Sequence, residues 1–171
     1  KHLILEMSDG STIDAGYVGV DSSPDDDDDD DPTGNVPTLS VSNTTATAGA
    51  TKVTVVVSLE NNPGFLTMAL NMVFNSDVLT LTKVSTGIDF IDYNFTAPKN
   101  KTSGCTAAWF ASDLPEEIID GDIMTLQFTV ASNAPKGQYP ITISCPNDGS
   151  TVDGNKQAFT MANAVGYITV N

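Results

Sequence analysis

Residues 52–60 read KVTVVVSLE. Val53, Val55, Val57 and Leu59 alternate with Lys52, Thr54, Ser58 and Glu60, and only Val56 breaks the rhythm. Successive side chains of an extended strand point to opposite faces, so a period of two predicts a strand with one face in a core. The same period runs through residues 66–74, where Met68, Leu70, Met72 and Phe74 alternate with Thr67, Ala69, Asn71 and Val73. It returns in residues 123–130, with Met124, Leu126, Phe128 and Val130 set against Ile123, Thr125, Gln127 and Thr129. Shorter strand candidates are residues 39–42, 78–84, 93–96, 105–111, 139–145 and 164–170.

Turn-forming clusters separate these runs: Asn62-Pro63-Gly64, Asn75-Ser76-Asp77, Asp120-Gly121-Asp122, Ala134-Pro135-Lys136-Gly137 and Asn147-Asp148-Gly149. No segment carries a convincing amphipathic helix. Nine short strands of this kind predict an all-β fold, a two-sheet sandwich with jelly-roll topology. The abundance of Thr, Ser, Asn, Gly and Val points the same way, towards an all-β extracellular module.

The residues before this pattern are different in kind. Residues 1–20 hold a strand, a turn at Ser8-Asp9-Gly10 and a second strand from Thr12, resembling the small β-hairpins of surface-protein stalks. The chain opens in mid-pattern at Lys1, which reads as a piece of a longer protein. Residues 21–37 contain seven consecutive aspartates, Asp25 to Asp31. Like charges at that density repel and cannot be buried, so an extended linker is expected. A calcium site there is disfavoured, because a monotonous aspartate run does not space its ligands around a turn. Residues 38–171 are the expected sandwich domain.

Charge excludes several functions. The 171 residues carry 7 Lys and no Arg against 22 acids, for a net charge of −15. That sign repels nucleic acid and anionic lipid, and no apolar run reaches the ~18 residues of a membrane span. Most of the acidity sits in residues 1–35, with 11 acids against one lysine, whereas residues 36–171 balance 11 acids with six lysines.

The folded part offers little chemistry. The one histidine, His2, lies outside it, which removes histidine-based triads and zinc sites. Glu116-Glu117, with Asp113 and Asp120 nearby, could form a glycosidase-like carboxylate pair. A solvated acidic loop after Pro115 is the preferred reading, since catalytic carboxylates sit on facing strands in aromatic-lined clefts. DGSTVDGN, residues 148–155, lacks the alternating ligands and closing glutamate of an EF-hand loop. Asn43, Asn94 and Asn100 each begin an N-x-T triplet. No catalytic residue, cofactor or metal is expected, and surface recognition remains.

Residues 38–171 resemble the cohesin family over nearly their whole length, by the order of several segments. KVTVVVSLEN leads to the NNPGF turn, and the next strand exits through MVFNSDVLTLTKVSTG. AAWFASD is similar to the family's sixth strand, DGDIMTLQFTVASNAPKGQYPITIS to its most recognisable stretch, and GYITV to its last strand. The resemblance implies a monomeric, non-catalytic module that binds a dockerin, recruiting enzymes to a secreted or cell-surface scaffold for polysaccharide degradation. It also implies a docking face on the sheet of strands eight, three, six and five. Carried onto this sequence, that face comprises Thr67, Ala69, Asn71 and Val73 on strand three, and Cys105, Ala107, Trp109 and Ala111 on strand six. Thr142 and Ser144 on strand eight and Tyr93 near strand five complete it, with residues 112–117, including Ser112 and Glu116, as a rim. Strand three here has Thr67 and Ala69 where the family often carries Asn or Asp, and Ser112 stands at the sixth strand's acidic position, so dockerin type does not carry over.

Two further expectations follow from the resemblance. Phe110 points into the core, which sends Trp109 outward as an interface anchor. Cys105 and Cys145, forty positions apart, lie on parallel strands with another strand between them and stay unbridged. Rival readings are a carbohydrate-binding sandwich, disfavoured by a single Trp and four scattered Tyr, and an Ig-like surface spacer.

Overall fold

A computed structural model describes residues 2–6, 12–17, 36–146 and 149–171. The chain divides into two compact units, residues 1–34 and 35–171. In the first, β1 (His2–Glu6) pairs antiparallel with β2 (Thr12–Tyr17). The expected Ser8-Asp9-Gly10 turn and the aspartate run lie outside the described residues.

The second unit is built of strands and one short 3-10 turn. In chain order they are β3 (Thr38–Val41), β4 (Thr44–Ala46), β5 (Val53–Glu60), β6 (Phe65–Phe74), β7 (Leu79–Thr86), the turn η1 (Ile88–Phe90) and β8 (Asn94–Thr96). There follow β9 (Cys105–Phe110), β10 (Gly121–Val130), β11 (Gly137–Ser144), β12 (Val152–Asp153) and β13 (Ala164–Val170). All nine expected strands are present, and the short β4 and β12 are additional.

One sheet has the order β3-β5-β10-β7. The other runs β4-β13-β11-β6-β9-β8, with β12 also on β6. Among the described residues only β13 and β4 pair in parallel. The alternation of residues 52–60 is realised: Val55, Val57 and Leu59 are fully buried. Within their own sheet Val55 lies opposite Leu126 and Val57 opposite Met124 of β10, and they share one core with Met68, Leu70 and Met72 of β6. Burying aliphatic side chains of this size contributes roughly 1.5–3 kcal/mol each, which is why the period of two governs the strands. Strand β10 departs from strict alternation. Its register with β5 shifts between Asp122 and Met124, so Ile123 and Met124 are both buried. A bulge puts two neighbouring side chains on one face.

The turn before β6 places Gly64 at φ +73°, in the left-handed region. A Cβ there would lie 2.6 Å from Ile118 Cδ1, so glycine also lets the β9–β10 loop close over the turn.

Cys105 lies opposite Met72, and Met72 lies opposite Ile143 on its other side. The two cysteine-bearing strands are thus two strand spacings apart, about 9.5 Å, beyond the ~7 Å limit for a bridge. Both cysteines are free thiols.

Candidate docking face

Strands β11, β6, β9 and β8 are neighbours in that order. Because directly opposed residues of an antiparallel pair share a face, the register defines the outer surface of this sheet. Thr67 opposes Phe110, Ala69 opposes Ala108, and Asn71 opposes Thr106. On one flank Ser144 opposes Asn71 and Thr142 opposes Val73. On the other, Asn94 opposes Phe110 and Thr96 opposes Ala108. The outward residues are short over most of this area, which makes a plateau with little relief. Phe110, 53% exposed, stands up at one end, and Val73 and Val165 are exposed towards the other.

Of the anticipated docking residues, Thr67, Asn71, Val73, Thr142 and Ser144 occupy this surface, whereas Ala69 shares the face by register but is buried. Trp109 and Ala107 do not occupy it. Trp109 opposes Met68, a core residue, and is 1% exposed; Ala107 opposes Leu70 and is fully buried. Cys105 and Ala111 also pack against the core. The sixth-strand register is therefore one residue from the expected one, and a slip of one exchanges every side chain between faces. The physical reason lies in what the larger ring finds inside. The Trp109 indole stacks at a tilt on Phe95, 5.1 Å away, and donates its N–H to Thr86 Oγ1 at 3.1 Å. Phe110 has no polar group to satisfy and takes the outer position.

Tyr93 is a second correction. It is buried, with its ring stacked on Phe65 at a centroid distance of 4.3 Å. It contributes to the wall of a depression of about 530 Å³ at the edge of the plateau. Asp89 and Asp92 from the η1 segment and Glu116 and Glu117 from the β9–β10 loop line the same depression. Ser112 and Glu116 are exposed in that loop. Phe110 is the residue that sequence reasoning misplaced. Its signal was weak because AAWF is apolar at all four positions, so either parity satisfies the pattern.

The plateau depends on an unusual repair in β6. After Ser144 the chain leaves the sheet and returns at Val152, which pairs with Thr67. Between these pairings the Ala69 N–H donates to the Thr151 hydroxyl at 3.2 Å, and Thr67 Oγ1 donates to the Ser150 carbonyl at 2.7 Å. Thr151 is 1% exposed and also takes the Cys145 thiol at 3.3 Å. A side chain thereby substitutes for the missing ladder partner of a buried amide.

Among the described residues no group of three or more His, Cys, Asp or Glu is placed to hold a metal ion. No described helix is long and apolar enough to cross a membrane. What the geometry offers is a broad, shallow surface with one exposed ring, suited to contact with another macromolecule.

Residues 37–170 match the family described as Cohesin domain, and the chain belongs to that family, whose members are non-catalytic protein–protein interaction modules. Solved structures share the fold. A type I cohesin of Clostridium thermocellum, solved in a cohesin–dockerin complex, is 17% identical with a TM-score of 0.64 over 80% of this chain and 100% of its own. A cohesin of Acetivibrio cellulolyticus in complex with a dockerin is 23% identical, TM-score 0.61, over 79% and 99%. A non-cellulosomal cohesin from the archaeon Archaeoglobus fulgidus is 16% identical, TM-score 0.63, over 80% and 91%. No curated protein matches the chain in sequence.

Proposed function

We propose that the outer face of β11-β6-β9-β8 binds a dockerin and that the chain recruits dockerin-bearing proteins to an extracellular scaffold for polysaccharide degradation. Family membership supports the partner, and the observation that carries the site is the plateau itself. Ala69 and Ala108 sit directly opposed at its centre, and Phe110 rises at its edge. A helix laid across such a surface buries apolar area without displacing any side chain, and the exposed ring supplies an anchor. Residues 1–20 serve as a surface stalk element and residues 21–37 as a charged linker.

Titration calorimetry of the full chain against a panel of calcium-loaded dockerins of different types tests the reading. At least one dockerin binds, and Ala108→Arg, which sets a long charged side chain in mid-plateau, abolishes that binding while thermal stability holds. Absence of binding by the whole panel, or undiminished binding by the arginine variant, sinks the proposal.

A further inference from the structure

Strand β12 does more than complete the ladder of β6. Val152 opposes Thr67 on one side and bridges Ala158 on the other, so residues 151–159 fold back as a small hairpin beside the sheet. Directly opposed residues share a face. The ladder therefore continues across one line, from Asn94 through Phe110, Thr67 and Val152 to Ala158. At about 4.8 Å per strand, its four steps span about 19 Å. Asn94 and Ala158 are exposed at the ends, Phe110 is the exposed ring within it, and Thr67 and Val152 are half-buried. The Thr67 hydroxyl already donates to the Ser150 carbonyl.

The hairpin is held firmly. The Phe159 N–H donates to the Thr151 carbonyl at 3.2 Å and the Asp153 N–H to the Gln157 carbonyl at 2.9 Å. At the tip, Asp153 Oδ1 accepts the N–H groups of Asn155 and Gln157, both at 2.8 Å. The carboxylate in this stretch is thus committed to the turn. Leu114 of the β9–β10 loop packs so close to Gly154 that a Cβ would have no room there. Fastened to β6 along its side and to that loop at its tip, the hairpin presents a surface ordered in advance of contact.

We infer that the 151–159 hairpin is a wing of the docking surface, and that the dockerin helix lies across the strands along the line from Asn94 to Ala158. The occupant follows from continuity, because the ladder that carries Phe110 and Thr67 of the proposed face also carries Val152 and Ala158. A span of about 19 Å takes about 13 helical residues at about 1.5 Å each. Phe110 and Val152 are two strand spacings apart, about 9.5 Å, close to the roughly 10.5 Å between side chains seven apart on one helix face. The dockerin segment is accordingly an amphipathic helix of three to four turns, with one apolar side chain on Phe110 and another, seven residues away, on Val152. Its last turn meets Ala158, where a small side chain lets the helix backbone approach. The inference rests on the proposed dockerin-binding face and adds to it the direction of the helix and two contact residues.

The test uses the full chain and a dockerin from the panel that binds it. Ala158→Arg and Ala158→Glu each weaken binding at least about tenfold, because a long side chain of either sign lifts the helix off the line. Thr80→Arg, on β7 of the opposite sheet, leaves affinity unchanged. All three variants melt near the wild-type temperature. Hydrogen exchange of the wild-type chain gives a reading free of substitution: dockerin raises the protection of amides 152–158 and leaves the β7 edge as it was. If both Ala158 variants bind as tightly as wild type while Ala108→Arg abolishes binding, the hairpin lies outside the footprint and the docking face stands without it. If amides 152–158 gain protection with rising chain concentration and no dockerin, a second copy covers the wing and the inference fails. If no dockerin binds at all, it falls together with the face.

Discussion

Trp109 donates its indole N–H to the Thr86 hydroxyl, 3.1 Å away, and so joins the β11-β6-β9-β8 part of one sheet to the end of β7 in the opposite sheet. The same hydroxyl lies within hydrogen-bonding distance of the Phe90 carbonyl, at 3.3 Å, so the link extends into η1 and the wall of the acidic depression. Trp109 is thus a structural keystone beneath the plateau.

Truncation of this ring costs stability before it costs binding. Trp109→Ala lowers unfolding free energy by about 3–5 kcal/mol, the usual range for removing a large buried aromatic. Trp109→Phe preserves most of the packing and loses chiefly the hydrogen bond to Thr86, worth about 1 kcal/mol. Urea denaturation of both variants checks the order. A Trp109→Ala protein with wild-type stability would place the indole outside the core.

How far the sequence could be read depends on how lopsided each strand is. In β5 and β6 the two faces differ in polarity, Val55, Val57 and Leu59 against Thr54 and Ser58, and the inward set was legible at once. In β9 both faces are apolar, Ala107 and Trp109 against Ala108 and Phe110, so hydropathy carries no parity and the family pattern tipped the reading the wrong way. What fixes the register is the Trp109 donor and its acceptor on β7, residues 23 positions apart in the chain, a tertiary relationship that no local period contains. Tyr93 escaped for a related reason: it precedes β8, where parity has no strand to count from, and packing on Phe65 decided its direction. The Thr151 repair was likewise invisible, since a single threonine in a polar loop carries no sign that its hydroxyl completes a sheet.

That repair has a measurable worth. Thr151→Val keeps the shape and removes the oxygen, leaving the buried Ala69 N–H without an acceptor, which costs about 1–3 kcal/mol. Thr151→Ser restores the acceptor and recovers most of the loss. Hydrogen exchange read at the Ala69 amide separates the two, with fast exchange in the valine variant and near-native protection in the serine variant. Equal protection in both would show that the amide finds another partner.

Tyr93 contributes to the alkaline decline expected of the module. Burial pushes its phenol above the usual value, with a weaker opposing influence from the Phe65 backbone. Burial likewise raises the Cys105 thiol, against lesser opposition from its own backbone and Lys101. Both groups are neutral when protonated. Above the ordinary phenol value of about 10, the unfolded chain releases the Tyr93 proton while the folded chain still holds it, so unfolding gains. The stabilising contribution is therefore complete below that value and disappears as pH climbs through the higher folded one. Tyr93→Phe removes this titration, and its melting temperature falls less than that of the wild type between pH 9 and 11. An identical alkaline decline in both proteins would assign it to other groups.

Phe110 carries the binding counterpart of these stability effects. Its ring is flanked by Thr67 on one side and Asn94 on the other, both directly opposite it across the strands, and it is 53% exposed. In the free protein it gains little from its neighbours, so Phe110→Ala leaves unfolding free energy within about 0.5 kcal/mol, as for other surface substitutions. In the proposed dockerin complex the same ring is expected to be covered. Truncating an aromatic anchor that becomes buried on binding typically costs at least about 2 kcal/mol, with about 4 a common upper value, which corresponds to about 30- to 1,000-fold in affinity. Val73→Ala, at the far end of the face, trims a smaller side chain and costs less than Phe110→Ala. Calorimetric titration of both variants with one dockerin gives the ranking directly. Phe110→Ala binding with wild-type affinity, in a protein of wild-type stability, would move the centre of the interface away from this edge and towards Val73.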